Sequence, residues 1–322
     1  MTTVLVTGVG AIIGYGILRA LRAARPDIYL IAADIYPDAV GQAWADRFEH
    51  APLTSSAEYA AWLRGIVTRH NVDLVIPGIE QDSHFLSDHR NGFSGVRMVL
   101  NDQHLVDIGK DKLALHEALV AHADEARIES LTAGTYEALR DRLGLPFLLK
   151  PRRSYASKGI VMVKAPLDFE PHADRLGSVL IAQPLVGDDA EEYTVGAFGD
   201  GSGQVLAQIA MRRRLSPQGS TDKAWVVKDS GLEGVVARLF SLFKPIGPTN
   251  LQFRKAGTDW KLLEINPRIS SSTSIRAAFG YNEAEMCVSY YLEGATITQP
   301  TIRQGSAVRY IEDWVSYDRA DI

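Results

Sequence analysis

The first hundred residues alternate short apolar runs with helical patterns, and this alternation constrains the fold more than any other feature. Apolar runs occur at "TVLVTG", "YLIAAD" and "VDLVIPG". After the first run, Ile13, Ile17, Leu18 and Leu21 recur at the spacing of one helix face, and "AEYAAWLRGIVTRH" repeats that pattern before the third run. Strands that alternate with helices predict a parallel, doubly wound sheet. "VRMVLND" predicts a further strand, and "DKLALHEALVAHAD" predicts a helix that opens a new unit.

After about residue 110 the pattern changes to short strands with hairpin-like connections. Strand patterns occur in "PFLLKPRR", "EYTVGAFG", "GQVLAQIAM", "TNLQFRKA" and "WKLLEINPR", and the connections include "GDGSG" and "KAGTD". Helical patterns return in "LEGVVARLFSLF" and "NEAEMCVSYYLEG". Mostly antiparallel strands with a few helices predict an α+β unit. The fold class that we predict is therefore α/β followed by α+β.

A glycine-rich turn follows the first strand and poses a functional question. Its glycines are Gly8, Gly10 and Gly14, so the spacing is one residue longer than the G-x-G-x-x-G fingerprint of dinucleotide-binding folds. Asp34 closes the second strand, where such folds place the acidic residue that binds a ribose. A tight turn from strand to helix needs glycine whatever it binds, so we favour a structural role. An NAD(P)-dependent oxidoreductase remains the alternative at this point.

Composition and charge narrow the class of protein. Hydrophobic residues make up 46% and charged residues 23%, which is ordinary for a soluble globular chain. The formal net charge of -5 gives no reason to expect nucleic acid or an acidic membrane as a partner. No apolar run reaches the length of a membrane span, and the N-terminus lacks a signal-peptide pattern. A single cysteine, Cys287, excludes an internal disulfide and is typical of a buried small hydrophobe, so we expect a cytoplasmic protein.

The stretch "TNLQFRKAGTDWKLLEINPR" carries the most informative polar side chains. Glu264 and Asn266 are two residues apart in the second strand and share a face, while Leu263 and Ile265 are expected to point into a core. With a three-residue hairpin loop at residues 257–259, Gln252 would lie directly opposite Glu264. A register shifted by one would turn Gln252 to the other face.

This hairpin predicts a magnesium site. Gln252, Glu264 and Asn266 would form an oxygen-rich patch beside Arg268, and Mg²⁺ takes one or two protein carboxylates together with substrate phosphates. The eight histidines are scattered, so a zinc site is not expected. The alternative is the polar outer face of an ordinary hairpin. That alternative leaves unexplained why the strand ends in a carboxylate, an amide and an arginine together.

Two further clusters indicate a nucleotide site. Lys150 ends an apolar strand, and the small-residue loop 154–159 can present backbone amides to phosphate oxygens. A strand then runs into a proline-containing hinge at residues 182–185 and returns through Glu192. Taken singly, each cluster has an alternative interpretation: Lys150 as a surface residue at a strand end, and the hinge as an interdomain linker.

Together the three clusters resemble the ATP-grasp superfamily, and within it the branch of the carbamoyl-phosphate synthase large subunit, over essentially the whole chain. In that family "DK" opens the grasp region, as Asp111-Lys112 does here, and "EINPR" matches the metal-binding strand end. The resemblance implies Arg268 and Lys150 as catalytic residues and Gln252, Glu264 and Asn266 as metal ligands. The residues that it implies for ATP are Lys112, Lys150, Ser154, Ser157, Gly159, Gln183, Pro184, Leu185 and Glu192.

The resemblance also implies a domain order. A Rossmann-like preATP-grasp domain would occupy residues 1–110, and the two α+β subdomains of the ATP-grasp domain would occupy residues 111–184 and 185–322. In that first domain the family's glycine-rich turn binds no NAD. Asp46 and Pro52 also fit the pattern of such a domain.

The activity implied by the resemblance is ATP-dependent ligation of a carboxylate to an amine through an acyl phosphate, with ATP and one or two Mg²⁺ ions, or Mn²⁺ instead. Small-molecule acids and amines are the expected partners, and the apolar helix around Cys287 would suit a homodimer face as well as a core. A non-catalytic ATP-binding module is a second alternative. For the substrates we single out four positions, Glu80, Arg214, Gly219 and Arg309. A solvated strand edge would explain Arg214 equally, and a helix N-terminus would explain Glu80.

Overall fold

A parallel sheet forms the first part of the fold, as the alternating pattern predicts. The computed structural model describes residues 1–154, 158–217 and 219–315. The strands of this sheet are β1 (Thr3–Thr7), β2 (Tyr29–Asp34), β3 (Arg47–His50), β4 (Leu74–Pro77) and β5 (Arg97–Met98). They are all parallel and have the order β3-β2-β1-β4-β5. The helices that accompany them are α1 (Ile12–Ala24), α2 (Tyr59–His70), α3 (Glu80–Asp88) and α4 (Gln103–Lys110).

Strand β1 is buried on both faces, which is why it reads as a continuous apolar run. Val4 and Val6 pack on the side of α1, and Leu5 packs with α2 on the other side. The helical spacing of Ile17, Leu18 and Leu21 gives α1 its fully buried face.

The glycines between β1 and α1 have a structural role. Gly8 has a φ of +62°, and a Cβ on Gly14 would lie 2.2 Å from the carbonyl oxygen of Gly8. Asp34 is turned inward, where its carboxylate accepts the backbone N–H of Gly10 at 2.6 Å and that of Tyr36 at 3.0 Å. The carboxylate that a ribose would need therefore closes this turn instead.

A small antiparallel sheet follows. Its strands are β6 (Phe147–Pro151), β7 (Val161–Val163) and β8 (Leu180–Pro184), in the order β7-β6-β8. Its helices are α5 (Lys112–Ala121), α6 (Tyr136–Leu143) and α7 (Pro166–Phe169). Tyr136, Phe147 and Phe169 pack together in its separate core.

A larger antiparallel sheet completes the fold and confirms the α+β prediction. Its strands are β9 (Glu192–Asp200), β10 (Val205–Leu215), β11 (Thr221–Val227), β12 (Ile246–Ala256), β13 (Asp259–Asn266) and β14 (Ser306–Val308). Their order is β13-β12-β9-β10-β11-β14, with antiparallel pairing throughout. The helices of this part are α8 (Ser230–Phe243), α9 (Thr273–Ala278) and α10 (Glu283–Tyr291).

Helices cover both faces of the large sheet and join it to the first sheet. Helix α8 packs on one face, and a single core on the other face contains residues from α1, α9 and α10. Cys287 is fully buried in that core, and its burial raises the pKa of the thiol. Among the described residues, none of the helices combines the length and the apolarity that crossing a bilayer requires.

The hairpin β12–β13 has the predicted pairing, but its turn is shorter than predicted and one of its strands has a bulge. Gln252 lies opposite Glu264, while Ala256 pairs with Asp259, so the loop is the two-residue turn 257–258. The predicted three-residue loop is wrong, and a bulge at Leu263 restores the pairing. As the extra residue, Leu263 lines the adjoining cleft, so its predicted place in the core is also wrong. Ile265 lies in the core as predicted.

Candidate active site in the interdomain cleft

A cavity of about 820 Å³ opens where the parallel sheet meets the other two sheets. The carboxyl end of β4 leads into Glu80, the start of α5 supplies Lys112, and the hairpin β12–β13 supplies Glu264. The wall also includes the polar residues Asn250, Gln252, Asn266, Arg268, Ser154 and Arg213, together with Gly219. Residues that are distant along the chain therefore share one cleft.

The hairpin presents its amides and its carboxylate in two cross-strand pairs. Gln252 is paired with Glu264, and Asn250 is paired with Asn266. Asn250 is fully buried, and its side-chain oxygen accepts hydrogen bonds from Thr194 at 2.7 Å and from Arg276 at 2.6 Å. The hairpin thus places one carboxylate and several amide oxygens close together.

This set of oxygen donors fits a hard divalent cation that takes most of its ligands from outside the protein. Mg²⁺ prefers oxygen and is commonly held by one or two carboxylates together with phosphate oxygens. Glu264, Asn266 and Gln252 could supply a carboxylate and two amide oxygens. Within the described ranges no group of three histidine, cysteine, aspartate or glutamate side chains could hold a metal by itself.

Lys112 reaches the metal-ligand candidates from the start of α5. Asp111 caps that helix, accepting the backbone N–H of Leu113 at 2.9 Å, and forms an ion pair with Arg152 at 2.8 Å. This fixes the first turn, and the Lys112 ammonium lies 3.5 Å from Glu264 and 3.2 Å from the carbonyl oxygen of Ser154. Lys112 therefore connects the hairpin to the start of the 154–159 loop.

Arg268 and Glu80 form an ion pair across the cleft, with 3.0 Å between nitrogen and oxygen. Burial opposes ionisation of Glu80, but the Arg268 guanidinium outweighs it and holds the pKa of that carboxyl below its usual value. The pair joins the parallel sheet to the end of β13. The carboxylate of Glu80 and the guanidinium of Arg268 thus lie beside the oxygen-rich patch.

A narrower recess of about 130 Å³ adjoins the cleft and shares Lys112, Ser154 and Glu264 with it. Lys150 lies in this recess, and desolvation lowers the pKa of its ammonium to about 8 although Glu264 partly offsets the effect. The apolar walls of the recess are Ile128, Leu148, Ile160, Pro184 and Val186.

Glu192 forms the polar end of the recess and is bound by two arginines. Its oxygens lie 2.9 Å from Arg213 and 3.1 Å from Arg254. Arg213 is almost fully buried, and its burial lowers the pKa of the guanidinium although Glu192 opposes that effect. The ion pairs fix the Glu192 carboxylate at the edge of the recess.

Comparison with known proteins agrees with this architecture. Residues 179–314 match a family described as "ATP-grasp in the biosynthetic pathway with Ter operon". N5-Carboxyaminoimidazole synthetase from Staphylococcus aureus, solved in complex with ADP, superposes with a TM-score of 0.72 over 94% of this chain and 80% of that one, at 15% identity. Residues 179–314 thus match an ATP-grasp family.

Other similar proteins have the same fold or match part of the sequence. Biotin carboxylase from Campylobacter jejuni superposes with a TM-score of 0.72 over 95% of this chain and 74% of that one, at 14% identity. The formate-dependent phosphoribosylglycinamide formyltransferase of Chlorobium phaeobacteroides is 30% identical over 44% of this chain and 36% of its own length. The Burkholderia lata enzyme of the same name is 26% identical over 54% of this chain and 42% of its own. The chain therefore spans less than half the length of these two curated relatives.

Most residues that sequence analysis assigned to ATP lie in or beside the recess. Lys112, Lys150, Ser154, Pro184 and Glu192 line it. Gln183 is buried in β8, and its side-chain amide donates to Ser130 at 2.8 Å. Leu185 is exposed beyond the end of that strand. Gly159 has a φ of +75°, which suits glycine, whereas Ser157 lies outside the described residues.

The four substrate positions have separate outcomes. Glu80 and Gly219 line the cleft. Arg214 is exposed, and the cleft-facing residue of this strand is Arg213, because neighbouring strand residues point to opposite faces. The assignment of Arg214 to the cleft is therefore wrong. Arg309 donates to the carbonyl oxygens of Thr221 and Ser271, which anchors β14 next to the cleft.

Sequence reasoning missed the buried support behind the hairpin. Arg276 is fully buried and donates to Asn250 and Thr194, and it also lies 3.1 Å from Glu283. These groups come from α9, α10, β9 and β12. The local signal was a single charged residue in the short helical segment Thr273–Ala278, and such a signal does not identify its partners.

Proposed function

We propose that this protein is an ATP-grasp enzyme that acts as an ATP-dependent carboxylate–amine ligase. The observation that carries the proposal is the convergence of Lys112, Glu264 and Arg268 on one cleft, with Lys150 in the adjoining, partly apolar recess. A carboxylate oxygen would attack the γ-phosphorus of ATP, forming an acyl phosphate and releasing ADP. The amine would then attack the acyl carbon, forming the amide and releasing phosphate.

The charges of the site match the main barrier of this reaction. An anionic carboxylate approaches an anionic phosphate, so catalysis depends on positioning and on neutralising charge. Lys112 and Lys150 would bind the phosphates of ATP, and Arg268 would bind the transferred phosphoryl group or the acid. Glu264, Asn266 and Gln252 would hold Mg²⁺, or Mn²⁺ instead. The ion, when bound, would neutralise phosphate charge.

ATP itself fits the proposed arrangement in two parts. The apolar recess beside Pro184 and Val186 suits the adenine base, and Glu192 at its edge suits a ribose hydroxyl. The phosphates would extend past Lys150 toward the hairpin. Ser154 at the start of the 154–159 loop would close over them and exclude water.

We also propose the predicted domain division for this function. Residues 1–110 would form the preATP-grasp domain around the parallel sheet, and residues 111–184 and 185–322 would form the two grasp subdomains. The cleft lies where the described parts of all three sheets meet, which would allow closure around ATP. Small-molecule acids and amines would be the partners, and a cytoplasmic location and a homodimer remain predictions.

A thermal-shift series with ATP–Mg²⁺, ADP, NAD⁺ and NADPH tests the proposal. A ligand at 100 times its dissociation constant stabilises a protein by about 2.7 kcal/mol, which is visible as a shift of a few degrees. We expect ATP–Mg²⁺ to stabilise the wild type and Glu264→Ala to reduce that shift. Asp259→Ala, on the same strand but outside the cleft, is the matched control and should keep the full shift. Stabilisation by NAD⁺ or NADPH alone would refute the proposal.

Phosphate release tests the ligase step itself. With ATP–Mg²⁺ present, a panel of acids and amines is screened for pairs that raise phosphate release above that of either compound alone. A productive pair should show no phosphate release with Glu264→Ala and normal release with Asp259→Ala. ATP binding without any productive pair across a broad panel would favour the non-catalytic module.

A further inference from the structure

A second cavity lies beside the cleft, at the carboxyl ends of β1, β2 and β4. Its volume is about 740 Å³, and it is bounded by the segments that follow these strands and by the start of α2 and α3. The chain runs from β1 to β2 on one side and places β4 on the other side of β1. Open α/β sheets bind ligands at such a reversal of strand order.

The inner wall of this second cavity carries polar groups that lack partners. The hydroxyls of Thr7 and Tyr59 are buried, each residue being only 2% exposed, and neither has a hydrogen-bond partner. Both lie beside the Asp82 carboxyl and lower its pKa. Asp82 is 3% exposed, and it accepts a hydrogen bond from Thr54. A buried polar group without a partner costs about 1–3 kcal/mol, so this wall would gain from a ligand that pairs with it.

The rest of the second cavity is largely apolar and carries no positive side chain of lysine or arginine. Ala51, Leu53, Ile79 and Phe85 form much of the wall, and the described lining residues include neither of those two types. Burial raises the pKa of Asp82, the hydroxyls of Thr54, Thr7 and Tyr59 oppose that effect, and the nearby Asp34 adds to it. Phosphate or carboxylate groups would therefore meet repulsion here. An uncharged or cationic group would not.

The second cavity adjoins the cleft. Ala11, Ile79, Gln81 and His84 line both spaces. Gln81 and His84 belong to α3, the helix that begins with Glu80. A molecule with one end near Glu80 could therefore extend its other end into the second cavity.

We propose that the second cavity binds the apolar body of the amine substrate and pairs a donor group at its far end, a hydroxyl or a second amine, with Asp82, Thr7 and Tyr59. This assignment rests on the proposed ligase function. It makes the substrate an amine with an apolar chain or ring rather than a phosphorylated compound. The acid substrate, which is anionic, is excluded from this cavity by Asp34 and Asp82.

Three probes that differ in charge test the assignment without any ligation. Binding of p-cresol (neutral), tyramine (cationic) and 4-hydroxyphenylacetate (anionic) is measured by ligand-observed NMR titration. We expect p-cresol and tyramine to saturate and 4-hydroxyphenylacetate to bind at least about tenfold more weakly, because a tenfold difference corresponds to only about 1.4 kcal/mol of repulsion. Equal binding of all three, or saturation by none, would overturn the proposal.

Variants of the inner wall locate the binding. Tyr59→Phe and Thr7→Val each remove one hydroxyl and should weaken p-cresol about fivefold, as expected for the loss of one neutral hydrogen bond. Unchanged affinity in both variants would overturn the proposal. Leu53→Arg places a cation on an exposed rim position and should reduce the discrimination against 4-hydroxyphenylacetate. It provides a test that is independent of any fold damage from the buried substitutions.

The ATP–Mg²⁺ thermal shift separates this proposal from the ligase proposal. The same three variants should keep the wild-type shift, because none of these residues lines the cleft. If the probes bind as expected but ATP does not stabilise the wild type, the ligase proposal fails, and with it the assignment of the cavity to a substrate. If ATP stabilises the protein and the probes do not bind, only the second-cavity proposal fails.

Discussion

Replacing Lys150 with methionine should stabilise the protein at neutral pH. The ammonium lies in the narrow recess, where desolvation lowers the pKa of Lys150 from 10.5 to about 8. Glu264 opposes the effect, and Lys112 and Arg254 add to it. The folded protein therefore holds a charge that it solvates less well than the unfolded chain does. Methionine fills similar space without that charge.

The sign and size of the effect follow from proton linkage. Between pH 8 and about 10.5 the unfolded chain binds this proton more tightly than the folded protein, so stability rises with pH through this window. The full fall in pKa corresponds to about 3.4 kcal/mol as an upper bound. Since the side chain is only half-buried and the recess is open to water, we expect Lys150→Met to gain about 1–3 kcal/mol at pH 7. The gain should vanish near pH 10.5.

Urea denaturation of the wild type and Lys150→Met, compared at each pH from 7 to 10.5, measures this difference. Groups that titrate equally in both proteins cancel in the comparison. Lys164→Met, at an exposed position, is the matched control and should stay within about 0.5 kcal/mol of the wild type at all pH values. A Lys150→Met protein that is no more stable at pH 7, or whose gain persists at pH 10.5, would refute the reasoning.

Three further predictions concern ligand affinity and stability. If ATP binds only the protonated form of Lys150, its affinity should fall about tenfold from pH 7 to pH 9, and Lys150→Arg should flatten the profile in isothermal titration. Arg276→Met should cost about 3–5 kcal/mol in urea denaturation because it leaves the buried Glu283 charge unpaired, and adding Glu283→Leu should recover part of the loss; no recovery would contradict this explanation. Gly14→Ala would place a Cβ 2.2 Å from a backbone carbonyl oxygen and should lower the melting temperature by several degrees, whereas Gly65→Ala, with nothing within 4 Å, should raise it slightly; equal effects would contradict the steric argument.

Patterns that depend on near neighbours in the chain were readable from the sequence. The alternation of strands and helices predicted the parallel sheet, and short strands with tight connections predicted the antiparallel part. The "EINPR" strand end and its partner Gln252 predicted a polar patch on one face, and the structure brings those side chains together. Local periodicity suffices for such features because strand and helix faces repeat every two and 3.6 residues.

The tertiary structure decided the features that depend on which face of a strand a residue occupies, on turn length and on contacts between distant residues. A single bulge at Leu263 compensated for the shorter turn, so that Gln252 still pairs with Glu264 while Leu263 itself faces the cleft instead of the core. The alternation of strand faces made Arg213, rather than Arg214, the cleft residue. Asp34 could have faced a ribose, and only the close packing of the turn on β2 showed that it binds backbone amides instead. The cleft, the recess and the second cavity join segments that are far apart in the chain, and their contacts leave no periodic signal in the sequence.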